Sequence, residues 1–355
     1  MNFTHFKAGA DDSGRRLDRL LRKFLSEENL SSIYKSLRKG LIKVDGKKCD
    51  GNFHVSEGSD IQIADFLLPK KSESCQDKTQ IKNLSGRLSE ITILKNDFLL
   101  ILNKPYDIPV QPAASFKGES LSERVQADFQ ASSKMNSLSF KTGPLHRLDR
   151  KTTGLLAFSQ NLQGAQWFSQ KIKSHEIQKV YLALLEGNLC QNQIWEENIQ
   201  KMENGKLKAE NGKRKAESFS FGKVSGFGDA GTFETKSLRE AFHTVSVSSD
   251  GEGKAAYTEV FPLSHGIFEG KEVTLARILI KTGRTHQIRA QAAFHGYPLL
   301  GDTAYGSCKI DSKKWGQDFF LHASELHFPD ANSLNLPKMI SAPLPKAFEN
   351  ILNSI

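Results

Sequence analysis

Residues 143–161 read GPLHRLDRKTTGLLAFSQN. One acid, Asp149, stands among His146, Arg147, Arg150 and Lys151. Thr152, Thr153 and Gly154 read as a turn, and Leu155 to Phe158 as a buried strand. In isolation, an acid flanked by arginines reads best as a surface salt-bridge cluster. What it means here depends on the sequence around it.

Upstream, Ile91–Leu94 and Phe98–Leu102 read as paired strands with a turn at Asn96-Asp97. Downstream, strands are expected at Val180–Leu185, His243–Val247, Ala256–Phe261 and Val273–Ile280. Helices are expected at Leu121–Phe129, Ala165–Lys173 and Thr285–His295. Strand and helix do not alternate as a doubly wound fold requires, so the class is α+β with a mixed, largely antiparallel sheet.

The chain has 355 residues, enough for about two domains. Its formal net charge is +9 and its pI about 9.2, which favours a polyanionic partner. Cys49, Cys75, Cys190 and Cys308 are scattered, with no C-x-x-C, and read as free thiols of a reducing compartment. The first residues, MNFTHFKAGADDSG, have no apolar signal region, and no apolar run is long enough to span a membrane. A cytoplasmic protein without membrane contact is expected.

Residues 15–48 hold eleven Lys and Arg against four acids, a net +7 of the chain's +9. Leu17, Leu20, Leu21, Phe24 and Leu25 recur at helical spacing, with Asp12 or Ser13 as the cap. A second helix is expected from Ser31 or Ser32, with Ile33 and Leu37 inward and Gly40 closing it. Strands follow at Leu41–Val44 and Val55–Ile63, with Asp45-Gly46 as a tight turn. The stretch from RRLDRLLRKFL to VSEGSDIQI, residues 15–65, resembles the S-four ribosomal-protein type of RNA-binding module. The resemblance implies that basic side chains meet structured RNA, with Arg15, Arg38 and Lys39 as the expected contacts. Residues 67–88 are polar and aperiodic and read as a linker. The remaining domain runs from 89 to 355, with a suspected insertion at about 187–255.

Six further pieces fall in order along that domain: NKP at 103–105, HRLDRKTTG at 146–154, KVYLA at 179–183, TGRTHQIR at 282–289, LGDTAYG at 300–306 and LHA at 321–323. Together they resemble the RluA-type pseudouridine synthases, closest to members acting on large-subunit ribosomal RNA. The family usually places a glycine soon after the lysine-proline pair, where this chain has Tyr106-Asp107.

The resemblance implies an isomerase that turns uridine in RNA into pseudouridine, with no cofactor and no metal. It makes Asp149 the essential carboxylate, attacking the sugar carbon or removing a sugar proton. A carboxylate buried alone takes up a proton, so a cation must hold it ionised. The family pattern gives that role to Arg284, which the sequence puts at a helix N-terminus suited to anions. Arg147 is implied in expelling the target base from its stack. Tyr181 is implied to stack on the uracil or wall its pocket, and Arg150 and Lys151 are expected as backbone-phosphate contacts.

Other readings of single features compete with these. Tyr181 by itself reads as a core tyrosine. His286, His295 and His322 lack metal-ligand spacing and read as satisfied polar groups. GFGDAG at 226–231 fits a nucleotide fingerprint by letter, but no apolar helix follows it, so it reads as a surface loop. The rival functions are a synthase acting on transfer RNA, a non-catalytic RNA-binding assembly factor, and a nucleoside-linkage hydrolase. A monomer is favoured.

Overall fold

The computed structural model describes residues 2–25, 28–68, 88–114, 116–131, 137–138, 140–203, 206–207, 245–248, 253–330 and 332–355. Most of the 67–88 stretch, most of 208–250, Cys75 and GFGDAG therefore lie outside the described residues. The chain forms two compact units. The first comprises residues 1–150, 154–176 and 329–337; the second comprises 151–153, 177–328 and 338–355.

The first unit begins with a small module. Helices α1 (Leu17–Phe24) and α2 (Leu30–Lys39) bury Leu17, Leu20, Leu21, Ile33 and Leu37. They pack on an antiparallel sheet in the order β1 (Phe3–Lys7), β3 (Asp60–Ala64), β2 (Ile42–Val44). Asn29, rather than Ser31 or Ser32, caps α2 by accepting from the Ser32 N–H at 2.8 Å. Gly40 ends that helix at φ 69°, a left-handed angle that suits glycine. The Asp45-Gly46 turn forms, with both residues at positive φ. The strand expected from Val55 begins only at Asp60, because Ser56–Ser59 closes a turn at Gly58. Neither Asp12 nor Ser13 caps α1: its N-cap is Arg16, and Asp12 is fully buried in other contacts.

The same unit carries β4 (Thr92–Lys95), β5 (Leu99–Lys104) and β6 (Thr153–Ser159), paired antiparallel in that order. The Asn96 side chain accepts from the Phe98 and Leu99 N–H groups and makes the expected turn. All seven residues of β6 are buried, and the strand begins at Thr153, where the sequence suggests a turn. Helix α3 (Leu121–Ala131) precedes the loop to β6, and α4 (Leu162–Lys173) follows it. Asn161 caps α4, and Gly164 lets it approach β5: a Cβ there would stand 2.2 Å from the Phe98 carbonyl oxygen.

The second unit is an antiparallel sheet in the order β10 (Val245–Ser248), β8 (Gln193–Glu203), β11 (Lys254–Phe268), β12 (Lys271–Ile280), β7 (Gln178–Glu186), β13 (Leu321–His327), with the short β9 (Lys206–Leu207) paired to β8. The two ends of the stretch read as an insertion are thus strands, and Trp195 of β8 is fully buried. Strand β11 is longer than the expected Ala256–Phe261; it continues past Pro262 through a register shift. Helix α5 (Gln287–Phe294) starts two residues later than expected and buries Ile288 and Ala292. Phe294 is exposed, since six residues at about 100° each place it well away from Ile288's face. Among the described residues no helix is long and apolar enough to cross a membrane.

Candidate active site

In the first unit, residues 142–145 are laid along β6. The Thr142 hydroxyl donates to the Ser159 carbonyl, the Ser159 N–H donates to the Gly143 carbonyl, and the Leu145 N–H to the Ala157 carbonyl. His146 Nε2 accepts from the Ala157 N–H at 3.1 Å, and its ring stacks on Phe168 of α4. The histidine of HRLD is therefore a brace. Leu148 is buried, Asp149 half-buried, and Arg147 and Arg150 are exposed.

Arg150 Nη2 donates to Asp107 Oδ2 at 2.8 Å, its Nε stands 2.8 Å from Oδ1 as an ion pair, and the guanidinium lies over the Phe116 ring. Asp107 has φ 61°, in the left-handed region. That is the conformation a glycine adopts without strain, and aspartate is among the residues that tolerate it best. Asp107 thus takes a backbone angle that suits glycine and also gives Arg150 a carboxylate.

Lys104, at the end of β5, is the residue that sequence reading missed. It is fully buried, and its ammonium donates to the Arg150 carbonyl at 2.7 Å and the Pro105 carbonyl at 3.0 Å. Burial pushes its pKa down to about 7; the charges of Asp149 and Asp107 pull it up and Arg150 pushes it down. A lysine closing the apolar run LLILNK was the available signal.

In the second unit, Lys151 pairs with Asp318. Thr153 Oγ1 lies 2.8 Å from His322 Nδ1, and His322 Nε2 lies 3.4 Å from the Ala342 carbonyl. A carbonyl only accepts, so the proton is assigned to Nε2 and Thr153 donates to Nδ1. Burial pushes the His322 pKa down to about 4, against the opposing pull of the Ala342 carbonyl. Tyr181 is buried in mid-β7, opposite Ile278 and Ala323. Lys179, on the same face of β7, is also buried; desolvation first, and then Arg284, push its pKa down to about 8.

Arg284 is exposed and lies ahead of α5, its Nε donating to the Ala255 carbonyl at 3.0 Å. Gln287 fixes its backbone. The amide oxygen accepts from Arg284 N and Thr282 Oγ1, while the amide nitrogen donates to the Tyr257 carbonyl and Thr258 Oγ1. Arg289 of the same motif is the buried arginine. It grips Asp302 through Nε and Nη2 at 2.6 and 2.8 Å, and stacks against Tyr305 and Phe319. His286 Nδ1 lies 3.0 Å from the Tyr305 hydroxyl, and His295 stacks on Trp195 and bonds Glu197. Among the sites expected for RNA, Arg38 and Lys39 are exposed on the last turn of α2, and Arg15 is half-buried near Asp11.

The family model described as "RNA pseudouridylate synthase" matches residues 98–294, more than half of the chain. The chain belongs to this family. It is an RNA pseudouridine synthase, an isomerase, and the matched span runs from β5 through the HRLD loop to the end of α5. The synthase is 26% identical to a Vibrio vulnificus protein named "Ribosomal large subunit pseudouridine synthase C", over 97% of this chain and 94% of that one. It is 25% identical to the Escherichia coli K12 protein of the same name, over 98% and 94%. The solved structure titled "Human RNA Pseudouridylate Synthase Domain Containing 4" superposes with a TM-score of 0.52 at 19% identity, over 78% of the synthase and 96% of that chain. This last likeness concerns the fold.

Proposed function

We propose that the synthase modifies uridines of large-subunit ribosomal RNA, with Asp149 as its catalytic carboxylate. The observation that carries the substrate is similarity to relatives so named over nearly the whole chain, front module included. In the reaction the N1–C1′ bond breaks, the uracil turns, and a C5–C1′ bond forms; C5 gives up a proton and N1 gains one. A hydrolase of this linkage pairs two carboxylates to activate water, whereas this isomerisation calls for one carboxylate and little water.

In this reading Asp149 attacks the sugar or removes a proton from it, while Lys104 holds the backbone of its loop from below. Arg147, exposed beside it, takes the place of the expelled base. Tyr181 walls the uracil pocket. Arg284 is the sequence's choice for keeping the carboxylate ionised. Arg289 is the second candidate for that role, on the strength of its burial. Arg150 turns from Asp107 to a phosphate when RNA arrives, and Arg15, Arg38 and Lys39 grip the RNA from the front module.

The test is site mapping. Total RNA from cells with and without the gene is treated with a pseudouridine-specific reagent, and lost reverse-transcription stops are located. Stops should vanish from large-subunit ribosomal RNA, and return with the intact gene but not with Asp149→Asn. Loss from transfer RNA overturns the substrate, and no loss with impaired ribosome assembly favours the binding-protein reading. In vitro, Asp149→Asn should lower kcat by at least about 10³-fold while RNA affinity holds. The charge partner is whichever of Arg284→Lys and Arg289→Lys reproduces most of that loss.

A further inference from the structure

Two neighbouring aspartates of the front module reach residues more than a hundred positions away. Asp12 is fully buried. One of its carboxylate oxygens accepts from the Ser137 hydroxyl at 2.7 Å; the other accepts from the Leu138 N–H at 2.7 Å and the Gly9 N–H at 3.0 Å. Asp11 accepts from the Leu162 N–H, in the first turn of α4, at 3.1 Å. Asp11 is half-buried there, and burial pushes its pKa up against the lowering pull of the Leu162 N–H. Leu138 adds an apolar contact by packing on the module's core of Leu17, Leu20, Ile33 and their neighbours.

Capping its own 3-10 turn would need only the oxygen that faces Gly9. The other oxygen accepts from the Ser137 hydroxyl, 125 positions along the chain. Charge-assisted hydrogen bonds to a buried carboxylate are worth about twice neutral ones, and stranding that carboxylate costs its full desolvation. The contact therefore favours one fixed arrangement of the module within the first unit.

We infer that Asp11 and Asp12 form a clasp that docks the N-terminal module on the β4–β6 part of its unit, and that Asp12 is a positioning residue for the reaction. The segment it grips, 137–138, leads to residues 142–145 laid along β6, and directly on to His146-Arg147-Leu148-Asp149. RNA held by the module is thereby presented to that loop at a fixed distance, and the effective concentration of the target exceeds what a free tether supplies. The functional half of this inference rests on the ribosomal-RNA reading above; the docking half does not.

The experiment uses the full chain and the variants Ser137→Asp and Asp12→Asn. The first sets a second carboxylate against Asp12 without altering the module itself. The second removes the charge that strengthens all three bonds and replaces one accepting oxygen with a donating NH2. Methyl relaxation is measured on isoleucine-labelled protein. In the wild type, Ile33, Ile42, Ile61 and Ile63 of the module should share the rotational correlation time of Ile101 in β5. In Ser137→Asp the four should tumble faster while Ile101 is unchanged. Faster tumbling already in the wild type, or continued coupling in both variants, overturns the clasp.

Kinetics test the positioning. On unmodified bacterial large-subunit ribosomal RNA transcribed in vitro, both variants should raise KM about tenfold with kcat within about twofold. On a short hairpin carrying the same uridine they should match the wild type. A fall in kcat with KM unchanged, or equal losses on both RNAs, overturns the positioning role. A wild type inactive on ribosomal RNA sinks the substrate reading, and the relaxation measurement still decides the clasp.

Discussion

His322 and Lys104 are buried bases whose charged forms the fold disfavours, and both make stability depend on pH with a sign that can be worked out. The His322 pKa falls from the ordinary 6.5 to about 4. Between those values the unfolded chain binds more protons, so stability is full above pH 6.5 and is lost as pH falls toward 4. The loss is on the order of 3 kcal/mol. His322→Gln should flatten the urea midpoint across that window; a variant as acid-sensitive as the wild type would remove the histidine from the account. Lys104 falls from 10.5 to about 7, so its cost is full below pH 7 and is relieved as pH rises toward 10.5. Lys104→Met should abolish that rise, measured by urea unfolding at pH 6.5 and 9.5. It also leaves the Arg150 carbonyl without its 2.7 Å donor, so kcat should fall by about 5- to 30-fold, roughly 1–2 kcal/mol of barrier.

Elements of this protein are fixed by close backbone approaches as much as by periodicity. Gly164 lies in the first turn of α4, where an added Cβ would stand 2.2 Å from a backbone oxygen of the residue before β5. That oxygen belongs to no flexible side chain, so the helix itself must shift. Gly164→Ala should destabilise by roughly 1–3 kcal/mol in thermal unfolding, although alanine is the better helix former. An unchanged or raised Tm would mean that α4 has slack against β5. The sequence showed the helix but not this constraint, because the partner lies 66 positions upstream. Strands β1 and β13 were missed for a related reason. FTHFK and LHASELH carry polar residues on both faces, and only pairing with β3 and with β7 makes them strands.

For the whole molecule, charge and motif order were legible and geometry was not. The +7 of residues 15–48 predicts salt-dependent RNA binding through the front module. Replacing Arg38 and Lys39 with glutamine should reduce the slope of log affinity against log salt by roughly 1.4–1.8 if both touch phosphate. Equal slopes for variant and wild type would take these two residues out of the RNA interface.

Six sequence pieces in order mark the family, and with it the reaction. The sequence by itself also determined the two amphipathic helices of the front module and the buried strand behind HRLD, because local periodicity states which face is apolar. Only folding makes Asp12 bind Ser137 and Leu138 rather than cap α1, and sets Asp107 at a left-handed angle where it holds Arg150. It alone decided that Arg289, and not Arg284, is the buried arginine of its motif. The physical reason is common to all three. A carboxylate or a guanidinium takes its role from the donors, acceptors and solvent around it, and chain segments far apart in sequence supply those neighbours only after folding.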